Sequence, residues 1–321
     1  MMPLKHVDAV EVISIVDDLL EPTGVPARDD VKPFREWTPH PDRARSPRAE
    51  HGLSVLVRIY DGIKTHAVLL DVAHESGSVM DNAARMGLDL APAEAIILSH
   101  QHYDHTGGLI PVLKALNAKD LPLIVHPNVF TKRGWRDPAK PNAKMRQSPP
   151  TPTREEAEAA GACIVEAAGP CLVCEDTVLV TGEVPRLTDF EPGMPFEWIL
   201  QDGEWRHDPR VLDDRSIVMH VRGKGLVVVA GCAHAGIINT VRYARELTGV
   251  ERVAAIIGGF HLIGANAEEA IAGTVAALQE IQPDLLVPSH CTGWKGRMAL
   301  AQEFPDAFVP GMIGNLYRIA R

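Results

Sequence analysis

The chain has 321 residues, 45% hydrophobic and 23% charged, a globular composition with enough apolar residues for one extended core. With 32 Lys and Arg against 42 Asp and Glu, the formal charge of −10 argues against a general affinity for nucleic acid or anionic membranes. The longest apolar run, 225–238, is too short for a bilayer and contains His234, and no apolar leader follows the first charges, so the sequence reads as cytoplasmic. Five cysteines are too few, and odd in number, for a disulfide framework, so free thiols are expected. Cys171 and Cys174 have the spacing of half a zinc knuckle, but no second pair completes it, and small buried residues are the simpler reading.

Residues 53–71 hold two extended apolar segments around Asp61-Gly62, which predicts a hairpin. Ser78 can cap a helix running to 86, and the wholly apolar 95–99 predicts a short strand. A helix over 109–118 and a strand over 123–126 follow. Six prolines between 127 and 154 are too frequent for a regular element, so this stretch reads as an insertion or lid, and its net charge is +6. A second irregular stretch, 185–210, carries Phe190, Phe196, Trp198 and Trp205. Beyond it, strands are expected at 216–221, 226–230, 253–257 and 285–289, with helices at 238–247, 267–281 and from about 295. This order predicts an α/β protein of αββα type, two mixed β-sheets flanked by helices. It forms one domain over 1–321 with lid-like insertions near 127–154 and 185–210.

The run His100-Gln101-His102-Tyr103-Asp104-His105 directly follows the strand at 95–99 and precedes Thr106-Gly107-Gly108. In an extended loop His100 and His102 project to one side and can share a metal, while Asp104 and His105, past the bend, reach a second. Imidazole and carboxylate ligands suit zinc, and also manganese or iron. A solvated histidine-rich loop is the competing reading, disfavoured by the apolar strand before it and the glycines after it. Further ligands are expected just past later strand ends, at His234 and at His290. The candidate metal set is therefore His100, His102, Asp104, His105, His234 and His290, holding one or two ions. Asp104 and His261 are the candidate catalytic groups, with His261 read equally as an inner contact or a support. The basic insertion suggests a phosphorylated small molecule, with Arg133, Arg136, Trp198 and Trp205 as leading contacts. Its bland counterpart is a solvated loop anchored by its aromatics. A homo-oligomer is compatible with all of this.

HxHxDH after a strand, with later histidines at strand ends, resembles the metallo-β-lactamase superfamily. Glu50 to Ser54 (EHGLS), SHQHYDHTGGL from Ser99, TGEVPR from Thr181, Asp213-Asp214, GCAHAGIINT from Gly231, IGGFHL from Ile257 and SHCTG from Ser289 narrow the likeness to one branch. They are similar to the 7,8-dihydropterin-6-methyl-4-(β-D-ribofuranosyl)aminobenzene-5′-phosphate synthases. The resemblance implies the αββα fold, a metal site and transfer from a pterin diphosphate to an electron-rich aminobenzene. The alternatives are metal-dependent hydrolysis of phosphodiesters, lactones or other esters, and a non-catalytic pterin or nucleotide binder. Where many members carry a metal-bridging Asp, this chain reads Gly231-Cys232-Ala233-His234. Where they carry a TPGHT-like motif, it reads Thr181-Gly182-Glu183, so Cys232 and Glu183 are alternative substitute ligands. Val72-Ala73 also follow Asp71 where the branch often has Thr-Gly.

Overall fold

Residues 53–71 form the expected hairpin, in which β4 (Ser54–Asp61) and β5 (Lys64–Leu70) pair antiparallel around a turn where Gly62 takes φ +60°. Val55, Val57 and Ile59 of β4 enter one apolar cluster and Leu56 enters another, since successive side chains leave opposite faces of a strand. Both faces are buried, so the segment reads as almost continuously apolar. The structure is a computed structural model that describes residues 1–21, 28–38, 46–74, 77–117, 119–140, 142–191, 193–264 and 267–321.

Among the described residues the chain builds three sheets. The first runs in the order β10 (Ala162–Glu166), β7 (Leu121–Val125), β6 (Ala95–Ile97), β5, β4, β2 (Ala9–Val16), β19 (Leu316–Ala320) and β3 (Val31–Lys32). The second runs β11 (Cys171–Val173), β12 (Val178–Val180), β15 (Ser216–Val221), β16 (Gly225–Ala230), β17 (Val253–Gly259) and β18 (Leu285–Ser289), with β1 (His6–Val7) beside β15. Their inner faces meet in one core where Val57, Val68 and Ile97 join Ile217, Val229 and Ile257. Each such aliphatic side chain contributes about 1.5–3 kcal/mol on burial.

Helices cover the outer faces. α2 (Ser78–Met86) and α4 (Leu109–Ala115) lay Val79, Ala83, Val112 and Leu113 on the first sheet. α6 (Ile237–Thr248), α7 (Ala267–Ile281) and α8 (Gly293–Glu303) lay Ile238, Val241, Leu278 and Leu300 on the second. α1 (Phe34–Trp37), α3 (Tyr103–Thr106) and α5 (Arg154–Ala159) are short connectors. The layers are thus αββα, as expected. None of these helices is long and apolar enough to cross a membrane.

Three details differ from expectation. Ser78 is the first helical residue rather than the cap, and its hydroxyl donates to Glu50 (2.9 Å). α4 ends at Ala115, and residue 118, the expected end, lies outside the described residues. The two insertions are not irregular, because β8 (Lys132–Trp135) and β9 (Arg146–Gln147) join β13 (Glu197–Gln201) and β14 (Glu204–His207) in a third sheet, ordered β14-β13-β8-β9. The prolines flank these short strands and interrupt none of them, which is where proline is tolerated.

Strands β5 and β6 are parallel, as are β16, β17 and β18, so their carboxyl ends deliver Asp71, His100, Cys232, His261 and His290 to one edge. Close approach of β16 and β17 at that edge depends on Gly258. Its φ is +125°, and a Cβ there would lie 2.1 Å from the Ala230 carbonyl oxygen. Gly258→Ala is expected to cost at least about 3 kcal/mol in thermal or urea melts, through backbone strain and the clash. Gly62→Ala, in open space, is expected to cost about 1 kcal/mol. Equal losses at the two sites would contradict the role given to Gly258.

Candidate metal centre

After β6 the chain turns through His100, Gln101 and His102 into α3, while His234 arrives on the turn following β16. The Nε2 of His234 lies 3.1 Å from His100 Nε2 and 3.1 Å from His102 Nδ1. Alongside, His105 Nε2 lies 3.2 Å from His290 Nε2, which is 3.2 Å from Asp104 Oδ2. The structure therefore brings the six expected ligands together in two adjoining triads. Cys232 Sγ sits between them, 3.1 Å from His105 Nε2 and grouped with both His100–His234 and His105–His290.

The donor set suits metal ions because lone pairs converge. His100 Nδ1 donates to Ser99 Oγ (2.8 Å) and His105 Nδ1 to Asp71 Oδ2 (2.7 Å), while His102 Nε2 faces Glu197 Oε1 at 3.4 Å. In His100 and His105 the outer nitrogen donates to an oxygen, leaving the inner Nε2 as an acceptor turned into the cluster. Such crowding is unfavourable until a cation occupies the middle. Burial, reinforced by the neighbouring imidazoles, pushes His100 and His234 well below the usual histidine value, so both rings are neutral and free to act as donors to a metal. Burial also disfavours a proton on His290, but the hydrogen bond to Asp104 and the charges of Cys291, Asp104 and Asp17 together outweigh it and push His290 up to about 9. That proton stands where a cation would sit in the second triad, and a metal held by Asp104, His105 and His290 would displace it.

Buried carboxylates hold the ring orientations. Asp71 accepts from the Ser99 backbone N–H (2.7 Å) and hydroxyl (2.6 Å) as well as from His105. Only glycine fits where the end of β16 passes this group, since a Cβ on Gly231 would lie 2.2 Å from Ser99 Oγ. Asp213 accepts the Gln101 N–H (2.8 Å), and Asp214 accepts the Ala235 N–H (3.0 Å), so the Asp-Asp pair fixes both histidine-bearing turns. Burial pushes Asp214 up to about 6.

Arg133 was expected to contact substrate, and the structure corrects this. It is 1% exposed, with its guanidinium on Asp208 (2.9 Å), Asp213 and Glu197 (3.6 Å). Three buried carboxylates in one place need a buried cation, and β8 supplies it. Arg136 lies over the Trp198 ring, 3.9 Å from its centroid, and accepts the indole N–H of Trp198 on its carbonyl (2.8 Å). Trp205 stands opposite Leu200 in the small sheet. None of these four lines the cleft beside His234. Glu183 is 45% exposed and bonded to His126 Nε2 (3.0 Å), whereas Cys232 lies among the clustered histidines.

That cleft, of about 290 Å³, has apolar walls made by Met194, Pro195 and Phe196 from the second insertion and by Phe260, Leu262 and Ile263 from the turn after β17. His234 and His261 line it as well, their ring centroids 4.4 Å apart. His261 thus stands where the metal cluster meets the cleft, on a left-handed backbone of φ +46°. Glu191 borders the cleft, but its carboxylate accepts the Ile238 and Asn239 N–H groups at the start of α6.

Sequence reasoning gave Asp71 and His51 no role of their own, although both lie in the quoted motifs, and it passed over Glu197. His51 is 62% exposed, lies 3.4 Å from Asp104 Oδ2 and stacks on His290 at 5.4 Å. Asp71 carried a usable signal, since it follows an apolar strand as the ligands do. Glu197 carried none, because it reaches His102 from a distant insertion.

Residues 48–245 match the family model of the metallo-β-lactamase superfamily, and the chain belongs to that superfamily. The fold implies bound metal ions, and the two triads are the candidate ligands. The chain is 31% identical over 268 residues to the 7,8-dihydropterin-6-methyl-4-(β-D-ribofuranosyl)-aminobenzene-5′-phosphate synthase of Methanocaldococcus jannaschii, covering 81% of this chain and 87% of that protein. It is 29% identical over 273 residues to the uncharacterized protein MJ0448 of the same organism, covering 84% and 94%. The solved structure of Tm1679, a metal-dependent hydrolase of the β-lactamase superfamily, aligns with a TM-score of 0.71 over 97% of this chain and 100% of that one. At 22% identity this is a likeness of fold.

Asp71→Asn is expected to weaken one of the bound metal equivalents by about 10–100-fold, since the amide orients His105 less firmly than the carboxylate. Competition against a chromophoric chelator reads this directly. Unchanged affinity in a folded variant would mean that Asp71 does not set the His105 ring.

Proposed function

We propose that this protein is a metal-dependent enzyme that joins a pterin diphosphate to a phosphorylated ribosyl-aminobenzene and releases diphosphate. The observation that carries the reading is the 31% identity to the named synthase across most of both chains. Zinc is the first candidate ion, given imidazole, carboxylate and thiol donors in two triads, with manganese or iron as alternatives. Bound there, metal supplies Lewis acidity toward the leaving diphosphate oxygen.

The residues of the chain divide the remaining work. The flat apolar walls of Phe196, Phe260 and Pro195 suit an aromatic ring and keep water from the carbon that loses diphosphate. His261 stands between that ring and the cluster, placed to orient the reacting group. Holding two substrates in register supplies most of the advantage of transfer over attack by water. The insertions act as lids, and the partners on this reading are small phosphorylated molecules rather than nucleic acid.

A second reading, hydrolysis of a phosphodiester, lactone or other ester, has one observation in its favour. The largely exposed His51 lies 3.4 Å from Asp104 Oδ2, so solvent comes within one side chain of the second triad. The two readings separate in one assay, which follows diphosphate release from a hydroxymethyl-dihydropterin diphosphate with and without the aminobenzene acceptor. Release that depends on the acceptor, with the KM for the acceptor raised about tenfold in Phe196→Ala and kcat little changed, is the expected result. Release without acceptor, or turnover of simple esters alone, would decide for the hydrolase.

A further inference from the structure

The cysteine pair noted in the sequence does not act as a chelate. Cys171 stands in β11 opposite Val180 and packs against the core between the sheets, while Cys174 lies in the turn to β12 at φ +53°. Cys174 instead meets two residues of the first sheet, His66 on β5 and Glu94 just before β6. His66 is five residues before Asp71 on an extended strand, so this cluster lies about 16 Å from the active edge.

We infer that His66, Glu94 and Cys174 form a second cation site, for a thiophilic divalent ion such as zinc, that clamps the ends of the two sheets together. The ligand atoms all lie within 4.8 Å of one another, and His66 Nδ1 is 2.8 Å from Glu94 Oε1. Tetrahedral zinc with bonds of about 2.0–2.3 Å separates its ligands by about 3.3–3.8 Å, so small side-chain rotations close the site. The positions are well braced. His66 is buried within β5, the Glu94 N–H donates to the Ala67 carbonyl (2.8 Å), and the Cys174 carbonyl accepts from Thr177 N–H (3.1 Å) and hydroxyl (2.7 Å).

The cluster also has no fixed positive charge. Among the described residues the only ion-pair partner of Glu94 is His66, and Lys64, two residues along the strand, is committed to Glu175 (2.6 Å). Glu94 is 44% exposed, which gives an ion access from solvent and leaves a fourth position for water. Sulfur and imidazole donors select zinc, cobalt or cadmium over magnesium or calcium. Burial, followed by Glu94, pushes the Cys174 thiol up to about 12, so in the metal-free state it donates to Glu94. Metal binding releases that proton to solvent and leaves a thiolate ligand. The competing account is a hydrogen-bonded interlock in which Glu94 accepts from both neighbours and no ion enters.

The test loads the full-length protein with zinc and counts bound metal by mass spectrometry in the parent, Cys174→Ser and His66→Ala. Each variant is expected to bind one equivalent fewer at saturation, with turnover kept within about twofold because the active edge is distant. Alkylation of Cys174 by iodoacetamide, mapped by peptide mass in the parent protein, is expected to slow at least tenfold with zinc, and this arm needs no variant. Equal stoichiometry in parent and Cys174→Ser, or alkylation of Cys174 that zinc does not slow, would overturn the site in favour of the interlock.

Discussion

Imidazole nitrogens of His100, His102 and His234 held 3.1 Å apart, with their lone pairs turned on one another, are the condition on which the rest of this structure depends. Neutral rings do not gather this way unaided, because acceptors facing acceptors repel and their burial removes the water that would separate them. The fold overcomes this with charges set one shell further out. Asp71 turns His105, Glu197 faces His102, and Asp213 and Asp214 pin the two turns that carry the histidines. A cation in the centre converts the repulsion into ligation.

The same requirement accounts for one charge of the basic insertion, that of Arg133. A substrate-facing role was the natural expectation for a segment of opposite charge to the chain, yet its Arg133 is spent inside on three carboxylates. Removing one partner from such a group leaves uncompensated buried charge, so the insertion and the metal edge are coupled in stability. What the second insertion offers toward the cleft is mainly apolar instead, with Met194, Pro195 and Phe196 bordering a space that ends at His234 and His261. Polar support below and an apolar approach above are what a site needs if it is to bind a planar molecule beside metal and limit access of water.

Much of this was legible in the sequence wherever the signal was local. The αββα layers followed from short apolar strands alternating with helical spacing, and α7 (Ala267–Ile281) has the expected bounds. The six candidate ligands follow strand ends, a position visible without knowledge of strand order. Pairings between remote segments were not legible. β2 is bounded by no hairpin turn, and its partners β4 and β19 come from elsewhere in the chain, the latter from its far end. The third sheet joins two insertions separated by about thirty residues, and proline content alone concealed β8 and β13 because the prolines lie beside them. Arg133 was misread for the same reason, since charge is visible in a sequence and the burial that spends it is not.

The most direct measurement is X-ray absorption on zinc-loaded protein. The account predicts a first shell dominated by imidazole nitrogen at about 2.0–2.1 Å, with a sulfur contribution near 2.3 Å that diminishes in Cys232→Ser. A first shell of oxygen alone, or a spectrum unchanged when His100 and His105 are both replaced by alanine, would contradict the claim that these converging imidazoles hold the metal.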